Sequence, residues 1–415
     1  MRISLFYELS LPRPWTEDSE KQLFDAALEE IEAADKAGFS TVWMTEHHFM
    51  EEYCHATAPE VFFGAASQRT SNIRLGHGIM HMPPVINHPA RVAERVSTLD
   101  LLSGGRVEFG TGEAASQAEL GGFNVDPADK RAMWEEAVKV ATRCMTETPF
   151  TGFEGRHVSM PPRNVIPKPL QRPHPPVWVA CSRHATTIMA AERGIGALSL
   201  SFDGPEPLKP RVEEYYRVFE EDAVPLTAVI NPNISAIAGD LPMMVAPTED
   251  QAIERLGISG GFLAHGIVHY YGLGGHRPGR KNLWEEYLAK VELDPRMAYG
   301  PKRGAIGSPE QVREWLLDYE ASGVDEVMLL TNPHSHEATM ESIELMAKYV
   351  LPEFLERDEK VAVAKAARMA PVIEKVEARR VNDAPGLDPA YSFGRLPTGE
   401  DGRSSEAETA LAAVA

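Results

Sequence analysis

From Arg2 onward, short β-branched or apolar runs alternate with longer stretches whose apolar residues recur at helical spacing, and this alternation constrains the fold more than any other feature. Strand signals fall at 2–7, 40–44, 73–80, 107–110, 177–180, 197–201, 234–239 and 324–330. Helix signals separate them. The first, 19–37, repeats Phe24, Leu28, Ile31 and Ala34 and stops at Gly38. Others follow at 59–68, 89–102, 133–145, 186–193, 207–220, 309–321 and 340–354, four of them opening on proline. Eight strands alternating with helices predict an α/β fold, a (β/α)8 TIM barrel with insertions, over residues 1–356. A doubly wound sheet is the rival. It asks for a glycine fingerprint after the first strand, where Tyr7-Glu8-Leu9-Ser10 stands instead.

Two stretches break the rhythm. Residues 150–176 hold seven prolines and read as an extended excursion or short hairpin. Residues 257–303, rich in Gly, His and Tyr and without clear periodicity, read as a long insertion near the site. Residues 357–415 read as a C-terminal helix and a mobile tail. A net charge of −20 argues against nucleic acid or an anionic membrane as partner. No apolar run approaches the roughly 20 residues of a membrane helix. Three scattered cysteines (Cys54, Cys144, Cys181) fit a reducing compartment, and Met1 leads straight into a strand, leaving no room for a signal peptide. The expectation is a cytoplasmic protein.

Chemistry concentrates at Thr45-Glu46-His47-His48-Phe49, directly after the second strand signal. Strand carboxyl ends are where barrels place reactive groups, because the strand fixes the side chain while the loop varies. Adjacent residues of a strand point to opposite faces, so both imidazoles reach the mouth only if the strand has ended. An imidazole there can move protons near neutral pH or bind a metal. His77, His81 and His88 lie nearby, but the adjacent pair lacks the His-x-His pattern of barrel hydrolases, and no metal is expected. The turn Ala180-Cys181-Ser182-Arg183-His184 before a helix offers amides, a hydroxyl and a cation to a phosphate, with a plain Ser N-cap as the alternative. Gly76, Gly78, Gly110 and Gly112, on neighbouring strands, suggest a flat ligand against the backbone, with tight barrel packing as the alternative. Cys54 and Cys181 show no base partner and read as buried small hydrophobes.

The chain resembles the bacterial luciferase-like flavin-dependent monooxygenases. The resemblance rests on Glu46-His47-His48-Phe49, His88-Pro89-x-Arg91-x-Ala93-Glu94 and Leu101-Leu102-Ser103-Gly104-Gly105-Arg106 leading into Phe109-Gly110-Thr111-Gly112, then on Val177-Trp178-Val179-Ala180 before Ser182, and on Gly307-Ser308-Pro309-Glu310. It implies a barrel that binds reduced FMN (FMNH2) at its strand ends, supplied by an NAD(P)H:flavin reductase. O2 then forms a flavin 4a-hydroperoxide that oxygenates a small, apolar organic substrate. It further implies a homodimer, His47 as catalytic base acting without a large pKa shift, and Glu46 and His48 beside the ring. Gly78-Ile79 falls where the family has a non-prolyl cis peptide, Cys181 and Ser182 match the phosphate turn, and Ser199 or Leu200 would line the ring. Gly112 and Glu113 stand where luciferase has a reactive cysteine and a phosphate-gripping arginine, which leaves the phosphate to Ser182, Arg183 and helix amides. An F420-dependent oxidoreductase on the same fold, a metal-dependent barrel hydrolase and a non-catalytic flavin binder are the competing readings.

Overall fold

The computed structural model describes residues 1–201, 204–238, 242–273, 275–298, 304–331 and 335–392. Eight parallel strands close into a barrel: β1 (Arg2–Tyr7), β2 (Thr41–Met44), β3 (Arg74–His77), β4 (Val107–Gly112), β5 (Val177–Cys181), β6 (Gly196–Ser201), β7 (Ile234–Ala238) and β8 (Glu326–Leu330). Each pairs with the next, β1 pairs with β8 (Arg2 opposite Glu326), and β3 pairs with β4 (Leu75 opposite Val107), so no edge remains. The third strand signal is split. The Gly78–Ile79 peptide is cis, and the strand resumes as Met80–His81 alongside Thr111 and Gly112.

Strand alternation sorts the residues into two layers. Phe6, Trp43, Trp178, Leu198, Ile237, Met328 and Leu330 fill the barrel, and the two indoles meet edge to face at 5.6 Å. One end of the barrel is sealed by polar pairs: Trp43 Nε1 donates to Glu326 (2.8 Å), Trp178 Nε1 to Glu108 (2.7 Å), and Ser4 Oγ to Glu326 (2.5 Å). Ligand access is therefore at the other end, where the strands stop. Outward-facing residues such as Val42, Leu75, Phe109 and Val179 pack beneath the helices in one continuous core.

Most helices form where periodicity predicts them, Ser19–Ala37 and Pro89–Leu102 with the same ends. The buried stripe of the first is Leu23, Ala27, Ile31 and Ala34, with Phe24 and Leu28 at its margin, and Gly38 closes it at φ 93°. Residues 153–160 form the expected hairpin, Phe153–Glu154 against Ser159–Met160. The insertion is the main correction. Its described part is helical: Phe262–Ile267, a π-turn at Val268–Leu273, and Leu283–Leu293. Phe262, Trp284 and Tyr287 stack within 5.7 Å of one another, and a tertiary cap holds the last helix, which local periodicity cannot announce. Helices Gln117–Gly122 and Glu249–Leu256 are further additions. A single helix, Leu351–Glu377, runs through the expected boundary at residue 356. The expected tail beyond residue 392, like part of the insertion and Asn332-Pro333 after β8, lies outside the described residues. Among the described residues no helix is long and apolar enough to cross a membrane.

Candidate active site

β2 ends at Met44, so Glu46, His47 and His48 lie on a loop and all reach the barrel mouth. The loop is tied down at each step. Glu46 N–H donates to the Ile79 carbonyl (3.1 Å) and His47 N–H to Ala56 (3.0 Å), and the chain turns sharply at Phe49 (φ 64°). The Glu46 carboxylate is buried. It accepts from His81 N–H (3.0 Å) and Asn87 Nδ2 (2.8 Å) and meets His48 Nε2 (3.1 Å). Burial pushes its pKa up, but these partners outweigh burial and the carboxyl lies below its usual range.

His47 is 13% exposed and sits among acids. Its Nδ1 lies 2.9 Å from Glu119 Oε1, and its Nε2 lies 3.8 Å from Glu8 Oε2 and 3.4 Å from the Tyr271 hydroxyl. Burial alone would lower the imidazole pKa. Glu119, Glu8 and Glu46 outweigh it and raise the value to about 9. The ring is therefore an imidazolium at neutral pH, which corrects the expectation of a base working without a large shift. Glu119 is fully buried. Burial raises its pKa, but His47, His81 and the Ser116 hydroxyl (2.7 Å) bring it down to about 2. Glu119 and Glu8 were not singled out from sequence. Glu119 is 72 residues from His47, and its one local signal, Ser116-x-x-Glu119, reads as a helix capping box.

Two donor sets, Glu46–His48–His81 and His47–His81–Glu119, each bring their ligand atoms within 4.8 Å. In both, the shortest contacts are hydrogen bonds between the donors themselves, so a metal would have to displace them.

The remaining expected residues divide. Gly78 and Ile79 are half-buried at the mouth beside Glu46, and their peptide is cis as the resemblance implies. Gly110 has a packing cause: a Cβ there would fall on the His77 carbonyl. Gly112 is packed by Ile79 and Gly76 by Trp43, so the glycine pattern is explained by the barrel. Leu200 packs on the inner cluster with Leu198, and alternation turns Ser199 outward, which corrects its expected place by the ring. Cys181 likewise faces the outer core. It donates to the Val179 carbonyl (3.3 Å), and burial pushes its thiol up to about 12. Ala180, which alternation places on the inner face with Trp178, opposite Leu198, is half-buried.

Ser182 and Arg183 are exposed, and the helix His184–Glu192 begins after Arg183 with no side-chain cap, so Ser182 is not its N-cap. No partner for the Arg183 guanidinium occurs among the described residues. Glu113 pairs with Lys130 (3.2 Å) and Arg131. Arg131 bears on the Cys181 thiol, so sequence reasoning missed two cations near this turn. A cavity of about 240 Å³ opens beside the mouth, lined in part by Phe6, Glu8 and Leu330. Gly78 and Ser182 do not line it.

At its strand ends the closed parallel barrel thus holds an imidazole between carboxylates. Comparison with known proteins gives the family. Residues 5–326 match the model of the luciferase-like monooxygenases, and the chain belongs to that family. Among curated relatives, the uncharacterized protein y4wF of Sinorhizobium fredii is 33% identical over 45% of this chain and 52% of its own length. Limonene 1,2-monooxygenase of Rhodococcus erythropolis is 29% identical over 79% of this chain and 80% of its own. The oxygenase component of flavin-dependent trigonelline monooxygenase of Acinetobacter baylyi is 26% identical over 86% and 96%. The chain spans about half the length of the first relatives it matches, 52% and 47%. Among solved structures, monooxygenase RslO1 of Streptomyces bottropensis superposes with a TM-score of 0.67 at 24% identity, covering 85% of this chain and 100% of that one. The oxygenating constituent of 3,6-diketocamphane monooxygenase of Pseudomonas putida, in complex with FMN, gives 0.65 at 20%, covering 85% and 98%. An F420-dependent secondary alcohol dehydrogenase gives 0.62 at 20%, covering 84% and 98%. At these identities the structural likeness is one of fold.

Proposed function

We propose that the chain is the oxygenase component of a two-component monooxygenase that takes reduced FMN from a separate NAD(P)H:flavin reductase, works as a homodimer in the cytoplasm, and oxygenates a small, mainly apolar organic substrate. One observation carries this reading: a histidine, 13% exposed at the barrel mouth, set with Nδ1 2.9 Å from the buried Glu119 carboxylate and Nε2 toward Glu8 and the Tyr271 hydroxyl of the insertion. The residues present fit the cofactor. Arg183, Ser182 and the uncapped amides of the helix His184–Glu192 suit a phosphate monoester, and Glu46, Ile79 and Leu200 offer the walls of a slot for the ring. When bound, reduced FMN would supply the electrons that activate O2.

The chain's own part is proton control. With Glu119 engaging Nδ1, the second imidazolium proton sits on Nε2, toward Tyr271 and Glu8. A proton held there stabilises negative charge developing on an adjacent oxygen. Tyr271 comes from the insertion, so the same segment that covers His47 also shields the mouth from water. The trigonelline enzyme's designation as an oxygenase component supports the two-component arrangement, and the diketocamphane enzyme's bound FMN supports the flavin. F420 is the alternative, to which the net charge of −20 is a poor match because of the anionic polyglutamyl tail.

The test is titration of the full chain with FMN, reduced FMN and F420, followed by peroxide release from wild type and His47→Ala. Reduced FMN should bind both proteins, and the variant should release peroxide instead of product. Full coupling in the variant, or binding of F420 alone, overturns the reading.

A further inference from the structure

The Glu46 carboxylate is the near end of a polar chain that runs from the barrel mouth into two outer helices. Asn87 is buried in the turn before the helix Pro89–Leu102, its N–H donating to the Pro83 carbonyl (3.0 Å). Its Nδ2 donates to Glu46 Oε1 (2.8 Å) and to the His81 carbonyl (2.9 Å). Its Oδ1 accepts from Arg95 Nη2 (2.6 Å), and Arg95 Nη1 pairs with Glu60 (2.6 Å) of the helix Pro59–Ser67. These partners admit one orientation of the amide. A guanidinium only donates, while a carboxylate and a carbonyl only accept, so a flipped Asn87 would meet like groups at all three contacts.

The directed order continues to His48. Glu46 Oε1 faces His48 Nε2 at 3.1 Å, and an ionised carboxylate only accepts, so in the neutral ring the proton is on Nε2. Nδ1 is then a bare acceptor. No partner for it occurs among the described residues, and whereas His81 Nδ1 is sealed in, the His48 side chain is 19% exposed at the mouth. His47 beside it has the opposite character, with a proton on Nε2 toward Tyr271 and Glu8. Resting on the reduced-FMN reading, we infer that His48 Nδ1 is the acceptor by which this site tells the reduced flavin ring from the oxidised one, and that Asn87 is the positioning residue that keeps it so. Reduction adds an N–H to the isoalloxazine where the oxidised ring has a bare nitrogen. Nδ1 accepts a hydrogen bond from the first and sets lone pair against lone pair with the second. Asn87 acts only through Glu46: its two N–H donors and the Arg95 contact hold Oε1 on the His48 side.

The test has two readouts on the full chain: anaerobic titration with oxidised and with reduced FMN, and NMR of isotopically labelled histidine nitrogens without flavin. At mildly alkaline pH the His48 resonances, assigned by their loss in His48→Phe, should be those of the Nε2–H tautomer. Reduced FMN should bind about tenfold or more tighter than oxidised FMN. His48→Phe, which keeps an aromatic ring against Phe123 (5.0 Å), should bring the two affinities together. Asn87→Ala should do the same while the His48 tautomers become mixed; a merely structural role would weaken both flavin forms alike and leave the tautomer unchanged. Should that variant not fold, Asn87→Asp, which keeps the Arg95 contact and turns a carboxylate on Glu46, is read in its place with the same expectation. Equal binding of the two forms by the wild type, an Nδ1–H tautomer, or a preference that survives in His48→Phe overturns the assignment of the acceptor. A preference and a single tautomer that both survive at position 87 overturn the part given to Asn87. Binding of neither form sinks the reduced-FMN reading and this inference with it, whereas equal binding sinks the inference alone.

Discussion

Replacing Glu119 with Gln keeps an acceptor beside His47 Nδ1 and removes the charge that does most to hold the ring protonated. The His47 pKa should then fall from about 9 toward the ordinary imidazole range, observed as a shift of its ring resonances in an NMR pH titration. If product formation depends on the imidazolium, the alkaline limb of the pH profile should move down with it. An unmoved titration would assign the proton to Glu8 and Glu46 instead. Arg183 makes the second prediction at this scale. An exposed cation beside uncapped helix amides should hold a phosphate, so Arg183→Ala should weaken FMN binding about tenfold, the size of one charge-assisted hydrogen bond. Unchanged affinity would shift the anchor to Lys130 and Arg131. These residues show what was legible. Glu46, His47, His48 and Arg183 stand next to strand and helix ends that local patterning reveals. Glu119, Glu8 and Arg131 act through contacts that only the closed barrel creates, and their neighbours in sequence give no hint of them.

The same contrast governs whole elements. Helices with an apolar stripe and their own stop signals, such as Ser19–Ala37 before Gly38, are written locally. The helix Leu283–Leu293 is not. Besides Asn282, it is capped by Glu52, whose Oε2 accepts from the Leu283 and Trp284 amides at 2.8 and 3.0 Å across the mouth. Glu51, one residue earlier, accepts from Gly279 N–H (2.7 Å) and meets His276 (3.0 Å). The loop that carries His47 thus continues into the turn that fastens the insertion above it. Glu52→Ala should leave two amides, one of them fully buried, without that partner, at a cost of about 1–3 kcal/mol of local stability. Hydrogen exchange should quicken in residues 283–293 while the barrel strands stay protected, and peroxide leakage should rise because the cover opens more often. Unchanged exchange there would mean that Asn282 and the aromatic stack suffice.

At the scale of the molecule, His174 and His265 pull stability one way with pH and His47 the other. His174 is buried with Nε2 accepting from Val229 N–H (3.1 Å) and Nδ1 against the Pro175 carbonyl (2.7 Å). A proton on Nε2 would set two N–H groups face to face. Burial, above all, lowers its pKa to about 4, and His265 is lowered to about 4 in the same way. A histidine kept neutral by the fold favours unfolding once the unfolded chain binds the proton, so this stability is whole above about pH 6.5 and drains away as pH falls toward 4. His47 has the reverse sign. Its pKa is about 9 in the fold, so its contribution is whole below about pH 6.5 and is lost as pH rises through 9. The melting temperature should therefore peak near pH 6.5 and decline on both sides. His174→Asn should make the acid limb shallower, leaving the share of His265, without touching the alkaline one, and His47→Ala should flatten the alkaline limb without touching the acid one. A melting temperature flat between pH 6.5 and 9 in wild type would show that the folded chain does not hold the extra proton on His47, and the proton control assigned to the barrel mouth would lose its basis.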